Sequence, residues 1–316
     1  MSDLTEFHDE LRSVAGDLLA KERAVDWPVL VDAGWVGVEV PEEFGGAGAS
    51  FAETAVVCEE IGRAASATGY LGGAVLAVGA LNALRRSDTR DRLLRDVAAG
   101  AARVAVAMEP YDFVPDADGA DHLLFVADDG VRLAAATVTP QPVVDETRRL
   151  ARVAPGTVTE TLPFADPQAA AGLRHRAAAA VACDSLGLAE AMLAATVSYV
   201  TTRHQFGRPI GSFQAVKHAC ADMAVQVAVS RRLVAAAVDA VADDPAQAAV
   251  AVAMAKSHVC SAAVHIAGKA MQLHGGIGYT WESGIHVYLK RATLNRSLFG
   301  SPAVHRAHLA RRYRSR

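Results

Sequence analysis

Hydrophobic residues recur at spacings of three and four over most of the chain, which is the pattern of amphipathic helices. The N-terminal stretch shows this pattern in EFHDELRSVAGDLLAKE and again in FAETAVVCEEIGRAASA. A glycine-rich loop, GWVGVEVPEEFGGAGAS, lies between them and ends at Ser50. Ser50 and Glu53 have the spacing of a capping box, so we predict that a helix begins directly after Ser50.

The pattern changes twice further along the chain. From about residue 104 the segments ARVAVAM and DHLLFVADDGVRLAAATV are short and β-rich, with DADG and DDG as turn signals. From about residue 167 helical periodicity returns, broken at GRPIGS, ADDP and HGGIGYT. We therefore predict a mostly α, α+β fold with a helical domain at 1–103, a reduced β segment at 104–165 and a C-terminal helical bundle of about four or five helices at 166–316.

The composition excludes several classes of protein. Hydrophobic residues make up 52% and charged residues 21%, which is typical of a globular chain, and a net charge of -4 with scattered basic residues argues against a nucleic-acid partner. We find no uninterrupted apolar run of membrane-spanning length and expect a cytoplasmic protein with no membrane partner. No CxxC pair occurs among the four cysteines, so neither a disulfide framework nor a zinc site is predicted.

Other candidate chemistries have little support in the sequence. His305 and His308 lie three residues apart on a predicted helix, but no nearby carboxylate or cysteine completes a ligand set, so we predict no metal site. The chain has no GxSxG or Walker-type motif, which argues against hydrolase and kinase functions.

Three segments together resemble the acyl-CoA dehydrogenase family. The stretch YVTTRHQFGRPIGSFQAVKHACADMAV is similar to the family signature, and QLHGGIGYTWESGIHVYLKRA is similar to its C-terminal glycine motif and the helix that follows. The loop GWVGVEVPEEFGGAGAS resembles that of the family's N-terminal helical domain. The segments occur in the family's order and approximate spacing. The resemblance implies a flavoprotein that uses FAD to oxidise acyl-CoA thioesters.

The first of these segments supplies candidate FAD contacts. A guanidinium suits the diphosphate of FAD because it stays charged and binds two oxygens at once, which makes Arg203 the leading candidate. In the family this arginine reaches across a subunit interface to the neighbour's FAD, and the resemblance gives Gln205 and Phe206 the same role. Gln214 is a further family position on the next helix, for which Ser212 is the expected N-cap. Phe206 could instead be an ordinary core aromatic.

The glycine motif supplies the second set of candidates. Gly275, Gly276 and Gly278 allow a tight turn and a close approach of backbone to ligand. By resemblance, Gln272, Gly275 and Gly276 contact the pyrophosphate and adenosine end of FAD. A glycine pair after a helix is also a common helix stop. The neighbouring Arg203 segment favours the cofactor interpretation.

The family's catalytic base is missing from both of its usual positions. Dehydrogenation needs a carboxylate over the α-carbon of the thioester. In most members a glutamate follows the C-terminal motif, and Phe299 occupies that position here; the alternative position on the first long C-terminal helix falls near Ala177. Asp184, two turns further on, is a weak candidate that we expect to be a solvated or capping carboxylate. We assign no catalytic residue to this chain.

The middle of the chain is also reduced relative to the family. The residues at 107–110 are similar to the start of the family's β-barrel, but the GSD run and the aromatic-Ile-Thr-Asn strand are absent, so we expect the flavin-ring cradle to be deleted. In this the chain resembles the short subunit of the heteromeric acyl-CoA dehydrogenases of actinobacterial steroid catabolism. The resemblance implies a heterotetramer in which a longer homologue carries the catalytic glutamate. Two alternatives remain: a self-sufficient homo-oligomer that uses Asp184, and a non-enzymatic acyl-CoA-binding or structural subunit.

Overall fold

The N-terminal part of the protein is helical in a computed structural model that describes residues 2–243 and 245–314. Its α-helices are α1 (Ser2–Leu19), α2 (Trp27–Asp32), α3 (Phe51–Ala64), α4 (Ala77–Asn82) and α5 (Asp88–Ala98), and a π-helical turn over Leu71–Leu76 leads into α4. The predicted capping box is confirmed. Ser50 Oγ accepts from the amide of Ala52 at 3.1 Å, and Glu53 Oε2 accepts from the Ser50 amide at 2.8 Å.

A five-stranded sheet follows the N-terminal helices. Its strands are β1 (Val104–Ala107), β2 (Val114–Pro115), β3 (His122–Val126), β4 (Gly130–Gln141) and β5 (Leu150–Pro163), in the order β1-β3-β4-β5-β2. β1 pairs with β3 in parallel, and the other pairs are antiparallel. The DDG signal forms the β3–β4 turn as predicted. With 12 and 14 residues, β4 and β5 are longer than the short strands that we expected.

The C-terminal part contains the longest helices. They are α6 (Ala169–Thr202), α7 (Gln214–Asp243), α8 (Pro245–Leu273), α9 (Ile285–Ser297) and α10 (Pro302–Arg314). A hairpin of β6 (His204–Gln205) and β7 (Arg208–Pro209) separates α6 from α7, and a 3-10 turn at Gly275–Tyr279 follows α8. These breaks fall at the predicted GRPIGS and HGGIGYT signals. The predicted fold class, mostly helical with a central sheet and a C-terminal helical bundle, is confirmed.

Helix α6 is the centre of the packing, between α3 on one side and α7 and α8 on the other. Two glycines allow the backbones of α3 and α6 to touch. A Cβ on Gly62 would lie 2.0 Å from the carbonyl oxygen of Asp184, and a Cβ on Gly187 would lie 1.9 Å from that of Glu59. One hydrophobic core therefore runs from the N-terminal helices through the sheet into α6, and a second cluster lies between the later part of α6 and α7–α9.

By length and composition alone, two helices could cross a membrane, at Ala169–Thr202 and Gln247–Leu273. The sequence contains no uninterrupted apolar run of that length, but these helices qualify because their few charged residues are widely spaced. Within their most apolar windows, 83% and 56% of the residues are buried against the rest of the chain. Their apolar character is thus used largely for internal packing, as in core helices.

Candidate functional site

The Arg203 segment forms a tight hairpin that projects from the end of α6. The amide of Ile210 donates to the carbonyl of Arg203 at 2.8 Å and closes its base. At the tip, Phe206 and Gly207 have φ angles of 55° and 77°. Positive φ at both central residues is the requirement of a two-residue turn that matches the twist of the flanking strands. The hairpin geometry therefore places a phenylalanine in a left-handed backbone conformation that glycine, and to a lesser degree asparagine, adopts at little cost.

The side chains of this hairpin point into solvent. Phe206 is 90% exposed and meets Phe213 edge-on at 6.1 Å between ring centroids, so the core-aromatic alternative for Phe206 is wrong. Arg203 is exposed, and within the described residues its guanidinium makes no hydrogen bond or ion pair. Gln205 is also exposed, and among the described residues its side chain donates only to the neighbouring carbonyl of His204, at 2.9 Å. The hairpin thus presents an uncommitted guanidinium, an amide and an aromatic ring.

Gln214 is the first residue of α7 and is exposed. The expected N-cap role of Ser212 is wrong. Ser212 lies in a 3-10 turn before α7, and its hydroxyl donates to the carbonyl of Pro209 at 2.7 Å. The hydroxyl therefore stabilises the return of the hairpin and does not cap the helix.

The structure constrains the three motif glycines differently. Gly275 has a φ of 62°, and a Cβ on Gly278 would lie 2.4 Å from the carbonyl oxygen of Met271. Gly276 has neither constraint, because its φ is not left-handed and a Cβ would meet nothing within 4 Å. Our sequence-based explanation, which gave all three the same role, is therefore corrected. Nothing within the described chain requires glycine at 276, where the backbone lies open to solvent.

The structure brings the glycine turn next to the base of the hairpin. His274, directly before Gly275, stacks on Tyr199 with ring centroids 4.3 Å apart, and the carbonyl of Tyr199 accepts from the Arg203 amide at 2.9 Å. Gln272 is exposed, and its Oε1 accepts from Lys269 at 3.0 Å. The two candidate segments, about 70 residues apart in sequence, therefore belong to one end of the helical bundle.

The two usual base positions have very different surroundings. Ala177 is fully buried among the core side chains of α6 and offers no group to a ligand. Phe299 lies in the turn between α9 and α10 and lines a cavity of about 440 Å³. Asp184 is not among the residues that line this cavity.

Asp184 is a buried structural carboxylate, so our expectation that it is solvated or caps a helix is wrong. It is 3% exposed, its Oδ2 lies 3.0 Å from Arg148, and its Oδ1 accepts from Arg291 Nε at 3.1 Å and from Asn295 Nδ2 at 2.6 Å. Burial alone would raise the pKa of Asp184, but the positive charges of Arg291 and Arg148 lower it below the ordinary value. A carboxylate held in this way is a poor general base.

Arg291 connects this carboxylate to the other parts of the molecule. It is 1% exposed, and its Nη1 donates to the carbonyl of Ser66 at 2.8 Å and to Thr147 Oγ1 at 2.7 Å. It thereby joins α9 to α6, to the segment after α3 and to the β4–β5 loop. We did not identify Arg291 or Arg148 from sequence. The signal that existed was a lone aspartate within the apolar run of α6, which requires a buried cationic partner but does not identify it.

Comparison with known proteins agrees with this geometry. The family models "Acyl-CoA dehydrogenase, N-terminal domain" and "Acyl-CoA dehydrogenase, C-terminal domain" match residues 5–101 and 169–314. The chain is 40% identical to acyl-CoA dehydrogenase IpdE2 of Mycolicibacterium smegmatis, over 87% of this chain and 84% of that protein. It is also 40% identical to IpdE2 of Mycobacterium tuberculosis, over 90% of this chain and 86% of that protein.

Among solved structures, the chain is similar to one chain of a variant of the Tcur3481-Tcur3483 steroid ACAD. The TM-score is 0.84 at 26% identity, with 98% of this chain and 97% of that chain covered. Sequence identity, family models and fold thus agree over both helical parts of the molecule. The chain belongs to the acyl-CoA dehydrogenase family.

Proposed function

We propose that this chain is the subunit without a catalytic base in a heteromeric, FAD-dependent acyl-CoA dehydrogenase. A longer homologue holds most of the cofactor and carries the glutamate that removes the α-proton. When bound, the flavin accepts the hydride from the β-carbon of the acyl group. The observation that carries the proposal is a cluster of exposed family motif residues, Arg203 and Gly276 above all, for which the described part of the chain shows no structural role.

The chemistry of these residues fits a dinucleotide diphosphate. Arg203 can form two parallel hydrogen bonds to phosphate oxygens because no described residue accepts a hydrogen bond from its guanidinium. Gly276 leaves the space in which a ligand can approach the backbone closely. Phe206, held in a strained conformation and 90% exposed, supplies apolar area that is stabilised only when another molecule covers it. All three features favour a ligand that belongs to an adjoining subunit.

We assign the catalytic base to a partner because none of the three candidate positions in this chain can act as one. Phe299 and Ala177 cannot accept a proton, and Asp184 is committed to two arginines. Heteromeric assembly is supported by the 26% identical relative, which is described as the Tcur3481-Tcur3483 steroid ACAD. For the same reason we extend the proposal to a steroid-derived acyl group.

The experiment is to purify the chain alone and together with the longer homologue encoded by an adjacent gene. We expect flavin and acyl-CoA dehydrogenation in the mixed complex and neither in the single chain. Full flavin loading and turnover by the single chain would refute the proposal, and absence of flavin from every assembly would favour the non-enzymatic alternative.

Two variants test the contacts directly within that complex. Removing a charge-assisted contact costs about 1.5–3 kcal/mol, so Arg203→Gln should weaken FAD binding about tenfold to a hundredfold. Gly276→Ala should also weaken it while leaving the melting temperature of the chain unchanged. Gly172→Ala is the matched control, because a Cβ there also meets nothing within 4 Å but lies on α6 in the first part of the bundle. Equal FAD affinity in all three variants would contradict the assigned contacts.

A further inference from the structure

The hairpin after α6 and the glycine turn after α8 meet through a pair of stacked rings. His274, directly after α8, lies against Tyr199 in the last turn of α6, with ring centroids 4.3 Å apart and 22° between the ring planes. Within the described residues, no hydrogen bond or ion pair joins the hairpin at 203–212 to the turn at 274–280. The relative position of the two segments is therefore set by this contact and by the packing of α6 against α8.

Tyr199 also fixes the start of the hairpin. Its carbonyl accepts from the Arg203 amide at 2.9 Å, so the ring and the arginine backbone are joined within one helical turn. The chain folds back closely on this turn after the hairpin, because a Cβ on Gly211 would lie 2.9 Å from the carbonyl oxygen of Val200. A displacement of the Tyr199 ring would therefore carry the backbone of Arg203 with it.

His274 is held from the other side by the glycine turn. A Cβ on Gly278 would lie 3.1 Å from the Cβ of His274, so the turn folds closely over this side chain. His274 Nδ1 lies 2.8 Å from the carbonyl oxygen of Ala270, which can only accept, so Nδ1 carries the hydrogen of this bond. The bond fixes the orientation in which the ring stacks on Tyr199, and Gly276 follows two residues later.

The separation of Arg203 and Gly276 matters because both are assigned to one ligand. Contacts to a ligand are productive only when supporting side chains hold them within about 0.5 Å of the required geometry. Both residues are exposed and lie beyond the ends of their helices, so helical hydrogen bonding alone does not hold them there. Stacked aromatic rings have a preferred geometry and supply such support.

We propose that His274 and Tyr199, which we call the ring pair, are positioning residues that hold Arg203 and Gly276 at the separation required by one diphosphate. The ring pair acts through these two neighbours and not by contact with the ligand. The inference rests on the proposed function and extends it, because it makes the two contacts a single unit. It assigns this role to the ring of His274 and not to its hydrogen bond with Ala270.

Two substitutions of His274 separate the ring from the hydrogen bond. His274→Phe keeps an aromatic ring and loses the donor, whereas His274→Asn keeps a donor for the carbonyl of Ala270 and loses the ring. In the complex with the longer homologue, His274→Asn should weaken FAD binding about threefold to tenfold, which corresponds to the strength of one aromatic pair, and His274→Phe should leave it within about twofold. Tyr199→Leu and Tyr199→Phe should show the same contrast. The reverse order of the two His274 variants would show that the side chain serves only to end α8.

The same substitution in an Arg203→Gln background shows whether the ring pair acts on the arginine. There His274→Asn should change FAD affinity by less than about twofold, because the separation of two contacts no longer matters once one of them has been removed. Equal effects of His274→Asn in both backgrounds would mean that it only destabilises the chain, and would overturn the proposal.

Amide hydrogen exchange of the full chain without FAD tests the ring pair independently of the cofactor. The amides of Arg203 and Ile210, which form the base of the hairpin, should exchange about threefold to tenfold faster in His274→Asn than in the parent, and at the parent rate in His274→Phe. Unchanged exchange in His274→Asn would contradict the proposal. FAD binding that depends on Arg203 but not on His274 would refute this inference alone, whereas absence of FAD from every assembly would refute the proposed function.

Discussion

Replacing Asp184 with asparagine tests the buried charge network most directly. The substitution preserves the shape of the side chain but leaves Arg291 and Arg148, whose side chains are 1% and 8% exposed, without their shared anion. Removing one partner of a buried ion pair costs about 3–5 kcal/mol, because the remaining charge stays desolvated. With about 2.1 cal/mol/K of unfolding entropy per residue, 316 residues give about 0.7 kcal/mol/K. The melting temperature should therefore fall by about 4–7 °C.

The pH dependence of this effect has a defined sign. The arginines lower the pKa of Asp184 below its ordinary value of 3.8, so its stabilising contribution is present above that pH and is lost as the pH falls below it. Melting curves of the parent and Asp184→Asn should differ by a constant amount between about pH 5 and 8 and converge below about pH 4. Asp222→Asn is the control, because Asp222 is an exposed helical carboxylate, and should change stability by less than about 0.5 kcal/mol.

Two results would refute this explanation. A loss of less than about 1 kcal/mol would mean that the network is not held by the charge of Asp184. A gap that changes steeply near neutral pH would mean that Asp184 titrates there, as a general base does, and would restore the self-sufficient alternative.

Three further predictions follow from individual positions. Gly187→Ala should destabilise the chain by about 1–3 kcal/mol in chemical denaturation, because its Cβ would overlap the carbonyl of Glu59. Gly172→Ala on the same helix should instead stabilise the chain slightly. Equal effects of the two variants would contradict the close α3–α6 packing. Burial, aided by the charge of Glu190, raises the pKa of Glu59 to about 7. The stability that the protonated Glu59 carboxyl contributes is fully present below its ordinary pKa of 4.5 and is lost as the pH rises through about 7. Glu59→Gln should therefore raise the stability of the chain by up to about 3 kcal/mol at pH 8 and by almost nothing at pH 4. A pH-independent effect would argue against this pKa shift. Phe206→Asn should stabilise the isolated chain by about 1 kcal/mol, since asparagine tolerates positive φ, while gel filtration shows weaker association with the partner; unchanged association would show that no subunit covers the ring.

Several features of the candidate site could be predicted from the sequence because they are local. The break after α6 follows from GRPIGS, although its hairpin form was not predicted, the turn after α8 follows from its glycines, and the Ser50 capping box depends only on four consecutive residues. The exposure of Arg203 and Gly276 was expected only through family resemblance, since the periodicity of a helix does not show what lies beyond its end. Only the tertiary structure shows which constraint acts on each of Gly275, Gly276 and Gly278, because neither a φ angle nor a steric contact can be read from the glycine motif itself.

The amino-acid sequence by itself determined the helical periodicity, the place of the sheet, the family motifs and the loss of a carboxylate at 299 and 177. Only the tertiary structure decided which distant groups meet. Asp184 pairs with Arg291, 107 residues away, and Lys256 reaches the carbonyl of Gly300, 44 residues away. Such pairings depend on how helices pack, and a single sequence carries no signal for that geometry, whereas hydrogen bonds within one turn are set by residues next to one another.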